Sequence, residues 1–83
     1  IMEVDEILGN LRVSMEEIRQ RETKKASSKL SNVDGSEKIL NNLTNSIVNK
    51  IFFDISKKVK TAAKDENKDV IEAAEYIFNW NGC

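Results

Sequence analysis

Few residues of this 83-residue chain carry side chains suited to catalysis or metal binding. There is no histidine, so the commonest general base and metal ligand is missing. The single cysteine, Cys83, is the last residue, and no base stands near it in sequence to activate its thiol. The segment 65–69 begins like a calcium-binding loop, but Val70 and Tyr76 stand where such a loop needs glycine and glutamate. We therefore expect no catalytic residue, no cofactor-binding residue and no metal site.

Two other groups of side chains could bind a ligand. The first is a basic cluster consisting of Lys57, Lys58, Lys60 and Lys64. It lies between Asp54 and Asp65 and holds no aromatic residue to stack on bases, which is more typical of a solvated helix face than of an RNA-binding surface. The second is the pair Tyr76 and Trp80, whose four-residue spacing is more typical of packing or interface anchors than of a ligand platform.

The composition indicates one small helical domain. Charged residues make up 33% of the chain and hydrophobic residues 40%, and proline is absent. The net charge of −1 draws the chain neither to nucleic acid nor to a membrane, and the apolar run at 51–53 is too short to span a bilayer. A lone cysteine and an N-terminus without a signal-peptide pattern lead us to expect a cytoplasmic protein. Ile1 before Met2 suggests a piece of a longer protein.

Hydrophobic periodicity predicts four helices, of which the first is the longest. It covers residues 3–30, where apolar residues at three- and four-residue steps form one narrow seam as far as Ile18. Charged residues occupy the seam after that point, so we expect a helix packed at one end and solvated in its middle. The turn-forming segment 31–36 ends it, and Asp34 or Ser36 is expected to cap the next helix.

The second helix is predicted at residues 37–53 and the third at residues 55–64, with Asp54 as the cap of the third. The fourth is predicted to begin at a cap on Asn67 or Asp69 and to stop at Asn81. Apolar residues of the helix at 37–53 cover about 220° of its circumference. One neighbouring helix covers a much narrower arc than this. The second helix must therefore be covered from two sides, and part of that cover is expected to come from another molecule.

These features predict an all-α fold that associates with a second copy. One long N-terminal helix is followed by three shorter helices, which form an intermolecular helical bundle about a two-fold axis. The residues expected at the dimer interface are Leu40, Leu43, Ile47, Lys50, Ile51, Phe52, Val59, Val70 and Ile77. Lys50 belongs to this set because a lysine at the margin of an apolar surface can cover it with its methylene groups and keep its ammonium hydrated.

Several segments of the chain resemble a known family. They are residues 15–22, 25–26, 39–44, 46–50, 60–63 and 70–78. The most specific of them is Ser46-Ile47-Val48-Asn49-Lys50. With these segments, which together span about residues 4–80, the chain resembles the C-terminal dimerization domain of glutamyl-tRNA reductases. The family commonly continues with a leucine-rich step, a histidine and a proline, where this chain has Phe52-Phe53-Asp54-Ile55. The geometry of the turn into the third helix is therefore open.

The resemblance implies a parent enzyme that uses NADPH to reduce the glutamyl group of glutamyl-tRNA to glutamate-1-semialdehyde, in tetrapyrrole (porphyrin) biosynthesis. Residues 1–30 would form the end of its long spinal helix, and residues 31–83 would form the dimerization domain. The nucleophilic thiol and the nucleotide-binding fold of the family lie in N-terminal domains, so no catalytic residue is carried onto this chain and Cys83 does not correspond to the nucleophile. Glutamyl-tRNA would make at most a weak contact here.

Two alternatives remain at this point. The chain could be a standalone helical adaptor or regulatory protein that binds a helix of another protein, which the neighbouring coding sequence would reveal. It could also bind RNA through the lysines of the third helix, in which case binding would depend steeply on salt concentration.

Overall fold

The computed structural model describes residues 3–78, which form three helices joined by two short turns. Helix α1 spans Val4–Lys29, α2 spans Ser36–Lys64 and α3 spans Lys68–Phe78. These residues contain no strand. The predicted all-α class and the long first helix are confirmed. Trp80, Cys83 and the predicted helix stop at Asn81 lie outside the described residues.

Helices α1 and α2 form an antiparallel hairpin around the turn predicted from the sequence. Helix α1 ends at Lys29, and the N–H of its C-cap residue Leu30 donates to the carbonyl oxygens of Ala26 and Ser27. Gly35 follows with a φ of 77°, a left-handed conformation that favours glycine. The Ser36 hydroxyl donates to the Leu30 carbonyl oxygen at 3.1 Å and closes the turn. The predicted side-chain cap of α2 is therefore wrong, since Gly35 holds the cap position and no side chain caps the helix there.

The structure has one helix where the sequence predicts two. Helix α2 is 29 residues long and runs through Asp54 without a break. Neither proline nor glycine occurs between Ser36 and Lys64, and one aspartate inside a helix costs less than about 1 kcal/mol. A break would instead leave several backbone groups without partners. The predicted corner at residues 53–55 is therefore wrong, and the fold has three helices instead of four.

The apolar core lies at one end of the hairpin. Its buried members are Ile7, Leu8, Val59 and Ala74, so all three helices contribute. Half-buried side chains pack around them, namely Val4, Phe52, Ile55, Ile71 and Phe78. In the described part of the chain, no apolar side chain between residues 12 and 58 is buried. Helix α3 therefore covers only the end of the hairpin where α1 begins and α2 finishes.

A tight reversal brings α3 back onto the hairpin. The Asp65 N–H donates to the Thr61 carbonyl oxygen at 3.0 Å, and Glu66 takes a positive φ of 55°. The Asn67 side-chain oxygen then accepts a hydrogen bond from the Val70 N–H at 3.3 Å, which confirms Asn67 as the cap of the last helix. The segment that begins like a calcium loop thus serves as a helix-to-helix turn.

The molecule is long and thin. It measures 52 × 23 × 13 Å, and its radius of gyration is 15.7 Å, whereas a compact chain of this length has one of about 12 Å. Helix α3 packs only on the end of the hairpin where α1 begins and α2 finishes, so α1 and α2 alone make up the rest. Much of the hairpin is therefore one layer of helices, whereas stable domains normally pack at least two layers against each other.

Candidate association surface

An exposed row of aliphatic side chains runs along α2, and we call it the α2 stripe. Its members are Ile39, Leu43, Ile47 and Ile51, each four residues from the next. Between 48% and 64% of each residue's surface is exposed to solvent. Four branched aliphatic residues on one ridge of a helix form the kind of surface that another helix covers in a folded assembly.

The α2 stripe lies on a different side of α2 from the contacts with α1. Thr44, Phe52 and Val59 meet α1 or the core that α1 shares. At ~100° per residue, the centre of this group lies about 120° around the helix axis from the centre of the stripe. Helix α2 therefore has two apolar faces, as its wide apolar arc predicts, and α1 covers one of them.

The predicted interface residues divide between the stripe and the core. Leu43, Ile47 and Ile51 lie together on the α2 stripe, with Leu40 half-buried beside it and Lys50 exposed at its margin. Phe52 is half-buried against the core, and the Arg12 guanidinium lies 4.8 Å from the centre of its ring.

Val59 is 5% exposed and belongs to the core of the protomer. A partner reaches it only if α3 moves. The assignment of Val59 to an exposed interface is therefore corrected to a core role, because α3 folds back over this end of the hairpin.

Helix α3 repeats the two-sided pattern on a smaller scale. Ile71, Ala74 and Phe78 face the core, whereas Val70 and Ile77 are exposed. The sequence places all five on one side of the helix, but the core takes only the part of that arc nearest to α1 and α2. Tyr76 is almost fully exposed, so the prediction that it packs is wrong within the protomer.

A polar cluster joins α1 to α2 where the apolar core ends, and we call it the polar clamp. Its members are Glu16, Arg19, Thr23, Asn41 and Thr44. Arg19 binds both carboxylate oxygens of Glu16, at 2.7 and 2.8 Å. Its Nη1 also donates across the hairpin to Asn41 Oδ1 at 3.2 Å and to Thr44 Oγ1 at 3.1 Å. Arg19 and Thr23 therefore contact α2, whereas Glu22 and Lys25 are exposed, as the sequence predicts for the middle of α1.

The direction of each hydrogen bond in the polar clamp follows from its neighbours. Thr44 donates its hydroxyl hydrogen to the Leu40 carbonyl oxygen at 2.8 Å and accepts from Arg19. The Thr23 hydroxyl, 3.0 Å away, must then be the donor to Thr44. Sequence periodicity misses Arg19 and Thr23 because it scores apolar residues. The spacing of three between Glu16 and Arg19 is the one signal that could have indicated part of the cluster.

The clamp also changes the charge chemistry of Glu16. The bidentate hydrogen bond from Arg19 lowers the pKa of the Glu16 carboxyl from 4.5 to about 2, against a smaller opposing effect of burial. The same hydrogen bond raises the pKa of Arg19. The Arg19 side chain is only 8% exposed, so both groups stay ionised and paired over the ordinary pH range.

Two features are absent from residues 3–78, a metal-binding group and a membrane-spanning helix. No group of acidic or cysteine side chains in residues 3–78 is arranged to bind a metal ion. None of the helices in that part of the chain combines the length and apolar character needed to cross a bilayer.

The chain matches known proteins along almost its whole length. Residues 1–80 match the family described as glutamyl-tRNAGlu reductase, dimerisation domain. The glutamyl-tRNA reductase of Methanobrevibacter smithii is 63% identical over 75 residues, which are 90% of this chain and 19% of that protein. That of Methanothermobacter marburgensis is 38% identical over 77 residues, or 93% of this chain and 19% of that protein. That of Methanothermobacter thermautotrophicus is 35% identical over 78 residues, with 94% and 19% covered.

The chain spans about a fifth of the length of these relatives. No solved structure matches it. A helical hairpin that leaves one apolar face of α2 uncovered agrees with the description of the matching family. The resemblance found in the sequence is confirmed, and the chain belongs to the family of glutamyl-tRNA reductase dimerisation domains.

Proposed function

We propose that this chain forms a homodimer through the α2 stripe and thereby joins two copies of a glutamyl-tRNA reductase. The observation that carries the proposal is the exposure of the α2 stripe in a hairpin that α3 covers at one end only. A second copy laid on the stripe would supply the second layer that the single-layer hairpin lacks. The two copies would then form a helical bundle about a two-fold axis.

The contact set of this proposal follows the exposure of the side chains. Leu43, Ile47 and Ile51 form its centre, since each buries substantial apolar area when a partner covers the stripe. Leu40 and Lys50 lie at its margin, where the lysine can cover apolar surface and keep its charge hydrated. On α3, Val70 and Ile77 offer a second exposed apolar area. Phe52 would support the interface from the core side.

The activity of the whole enzyme is part of the proposal. The parent reaction would be the NADPH-dependent reduction of glutamyl-tRNA to glutamate-1-semialdehyde in the cytoplasm, with this region contributing association. Residues 1–30 would end a long helix from the other domains, and residues 31–83 would form the module that dimerises. Contact with tRNA in this region would be weak at most, because the lysines at the end of α2 have no aromatic partner for bases.

The residues of this chain do not fit NADPH. Glycines that hold a dinucleotide pyrophosphate stand close together in a turn between a strand and a helix. Here Gly9 lies inside α1 and Gly35 lies in the hairpin turn, and residues 3–78 form no strand. No step of the reaction is therefore assigned to this chain.

Leu43→Glu tests the dimer directly. We expect sedimentation velocity at micromolar concentration to give a dimer for the unmodified chain and a monomer for the variant. A glutamate buried in an apolar interface costs about 3 kcal/mol or more, which corresponds to at least a 100-fold weaker dimer. Circular dichroism would show that the helices of the variant remain.

Val13→Glu is the matched control. Val13 is also an exposed aliphatic residue in a helix, but it lines a different groove of the hairpin, beside Asn45 and Asn49. We expect it to leave the dimer intact. A compact, stably folded monomer of the unmodified chain at 100 μM would contradict the proposal and favour an adaptor that binds a helix of another protein.

A further inference from the structure

A shallow apolar groove lies between α1 and α2, beside the stripe. Its walls come from Met15 and Ile18 on α1 and from Ile47 and Val48 on α2, and Arg19, Glu22 and Thr44 complete its lining. The groove has a volume of about 300 Å³. An apolar cavity of ~150 Å³ holds one benzene-sized group, so this groove has room for one or two large aliphatic side chains. Ile47 belongs to both the groove and the α2 stripe, so the groove extends the apolar surface of the stripe onto α1.

The polar residues of the groove are already paired. Arg19 and Thr44 are bonded within the polar clamp, and Glu22 forms an ion pair with Lys25 at 3.1 Å. Small-molecule sites need a few polar groups that converge on the ligand, and this groove has none to offer. Its shape and apolar lining suit an aliphatic side chain presented by a rigid neighbour.

The symmetry of a dimer determines which side chain comes closest to the groove. The α2 stripe runs from Ile39 to Ile51, so its midpoint lies at residue 45. A two-fold axis that crosses α2 obliquely at that midpoint places Leu43 of the second copy beside Ile47. Rows of side chains spaced by four residues interdigitate at a crossing angle of about −50°. Contact then concentrates at the centre of the stripe, and the rotation carries Leu43 of the second copy toward the α1 side.

We infer that the groove formed by Met15, Ile18, Ile47 and Val48 receives the Leu43 side chain of a second copy of this chain. Helix α1 is then part of the dimer interface, although the sequence assigns the interface to α2 and later residues. Because the axis is two-fold, the contact occurs twice, once on each copy. This inference rests on the proposed dimer and adds the orientation of its two α2 helices.

Mixed cysteine cross-linking tests the contact. In a Cys83→Ser background, Ile18→Cys and Leu43→Cys are prepared as separate proteins, mixed, equilibrated and oxidised with copper phenanthroline. We expect a disulfide-linked heterodimer between the two variants, in at least fivefold excess over the product of the control mixture. The control mixes Val13→Cys with Leu43→Cys, since Val13 is exposed but lines a different groove, beside Asn45 and Asn49. Sedimentation before oxidation shows that each variant still forms dimers.

The outcomes separate this inference from the proposed dimer. If all the variants form dimers but the pair at positions 18 and 43 cross-links no better than the control pair, the groove contact is wrong and the dimer stands. If the unmodified chain is monomeric and Leu43→Glu changes nothing, the dimer itself is wrong and the groove contact fails with it. Helix content measured on each variant before mixing identifies one that fails to fold, and Met15→Cys then replaces Ile18→Cys.

Discussion

At the scale of single residues, Arg19 contributes most to the specific pairing of α1 with α2. Its guanidinium uses four of its five N–H groups on three residues, two of which lie on α2. Apolar packing tolerates small shifts along a helix, whereas these bonds form in one register only. Buried polar groups of this kind can select one arrangement without adding much stability. We interpret the polar clamp as the feature that holds the hairpin in register.

Glu16→Gln should lower stability at neutral pH and have little effect in acid. The native carboxyl has a pKa of about 2 against an ordinary value of 4.5. Its contribution is therefore complete above pH 4.5 and disappears as the pH falls toward 2. Since the Glu16 side chain is 42% exposed, solvent screens the pair and we expect a loss of about 1 kcal/mol or less at pH 7. Thermal melts at pH 7, 4.5 and 2.5 measure the difference in stability between the variant and the unmodified chain.

Glu17→Gln is the control for this experiment. Glu17 is the next residue and is exposed, so its replacement removes the same charge without breaking the clamp. A stability gap for Glu16→Gln that is as large at pH 2.5 as at pH 7 would contradict the role given to the ion pair.

At the scale of elements, α2 decides the character of the fold. Its 29 residues correspond to about 44 Å of helix. One end carries Val59 into the core, and the middle presents the α2 stripe to solvent. Because the helix is unbroken at Asp54, one continuous element connects both regions. A long helix with two apolar faces can pack against its own protomer with one face and against a second copy with the other.

Replacing each of two glycines of the hairpin with alanine should change the free energy of unfolding in opposite directions. Gly9→Ala, inside α1, should raise the free energy of unfolding by about 0.5–1 kcal/mol, because alanine favours helix. Gly35→Ala should lower it by about 1–2 kcal/mol, because φ is 77° there. An added Cβ meets no atom within 4 Å at either position, so the backbone alone sets the sign. Urea denaturation of both variants measures the difference, and equal signs would contradict the assigned turn.

At the scale of the whole molecule, the protomer has a core at one end and little burial elsewhere. The buried apolar side chains of residues 3–78 are Ile7, Leu8, Leu11, Val59 and Ala74. A core of this size gives a small domain only marginal stability. Cover for the α2 stripe would add the missing burial, and we therefore expect folding and association to be coupled.

The melting temperature should rise with protein concentration. For a dimer of two 83-residue chains that unfolds and dissociates in one step, a tenfold increase adds about 1.4 kcal/mol and raises Tm by about 4 °C. Calorimetry at 10, 100 and 1000 μM measures this shift. Leu43→Glu should melt at a lower temperature that does not depend on concentration. A concentration-independent Tm for the unmodified chain would show that the protomer folds without its partner.

Local patterns were sufficient for several features of this protein. The all-α class, the long first helix, the turn at 31–36 and the cap at Asn67 follow from periodicity and turn chemistry, which depend on residues close together in sequence. The apolar arc of α2 likewise indicates a second, uncovered face, because its width can be read from one segment alone. Leu43, Ile47 and Ile51 lie on that face as the sequence predicts.

Other features depend on residues that are far apart in sequence, and only the tertiary structure decides them. Arg19 reaches Thr44, 25 residues away, to form the polar clamp. Val59 belongs to the core because α3 returns over it. The path through Asp54 stays helical because the gain from unbroken backbone hydrogen bonds exceeds the weak preference of one aspartate for a cap. Periodicity shows how much apolar surface a helix carries, whereas the packing of its neighbours determines which part of that surface remains for a partner.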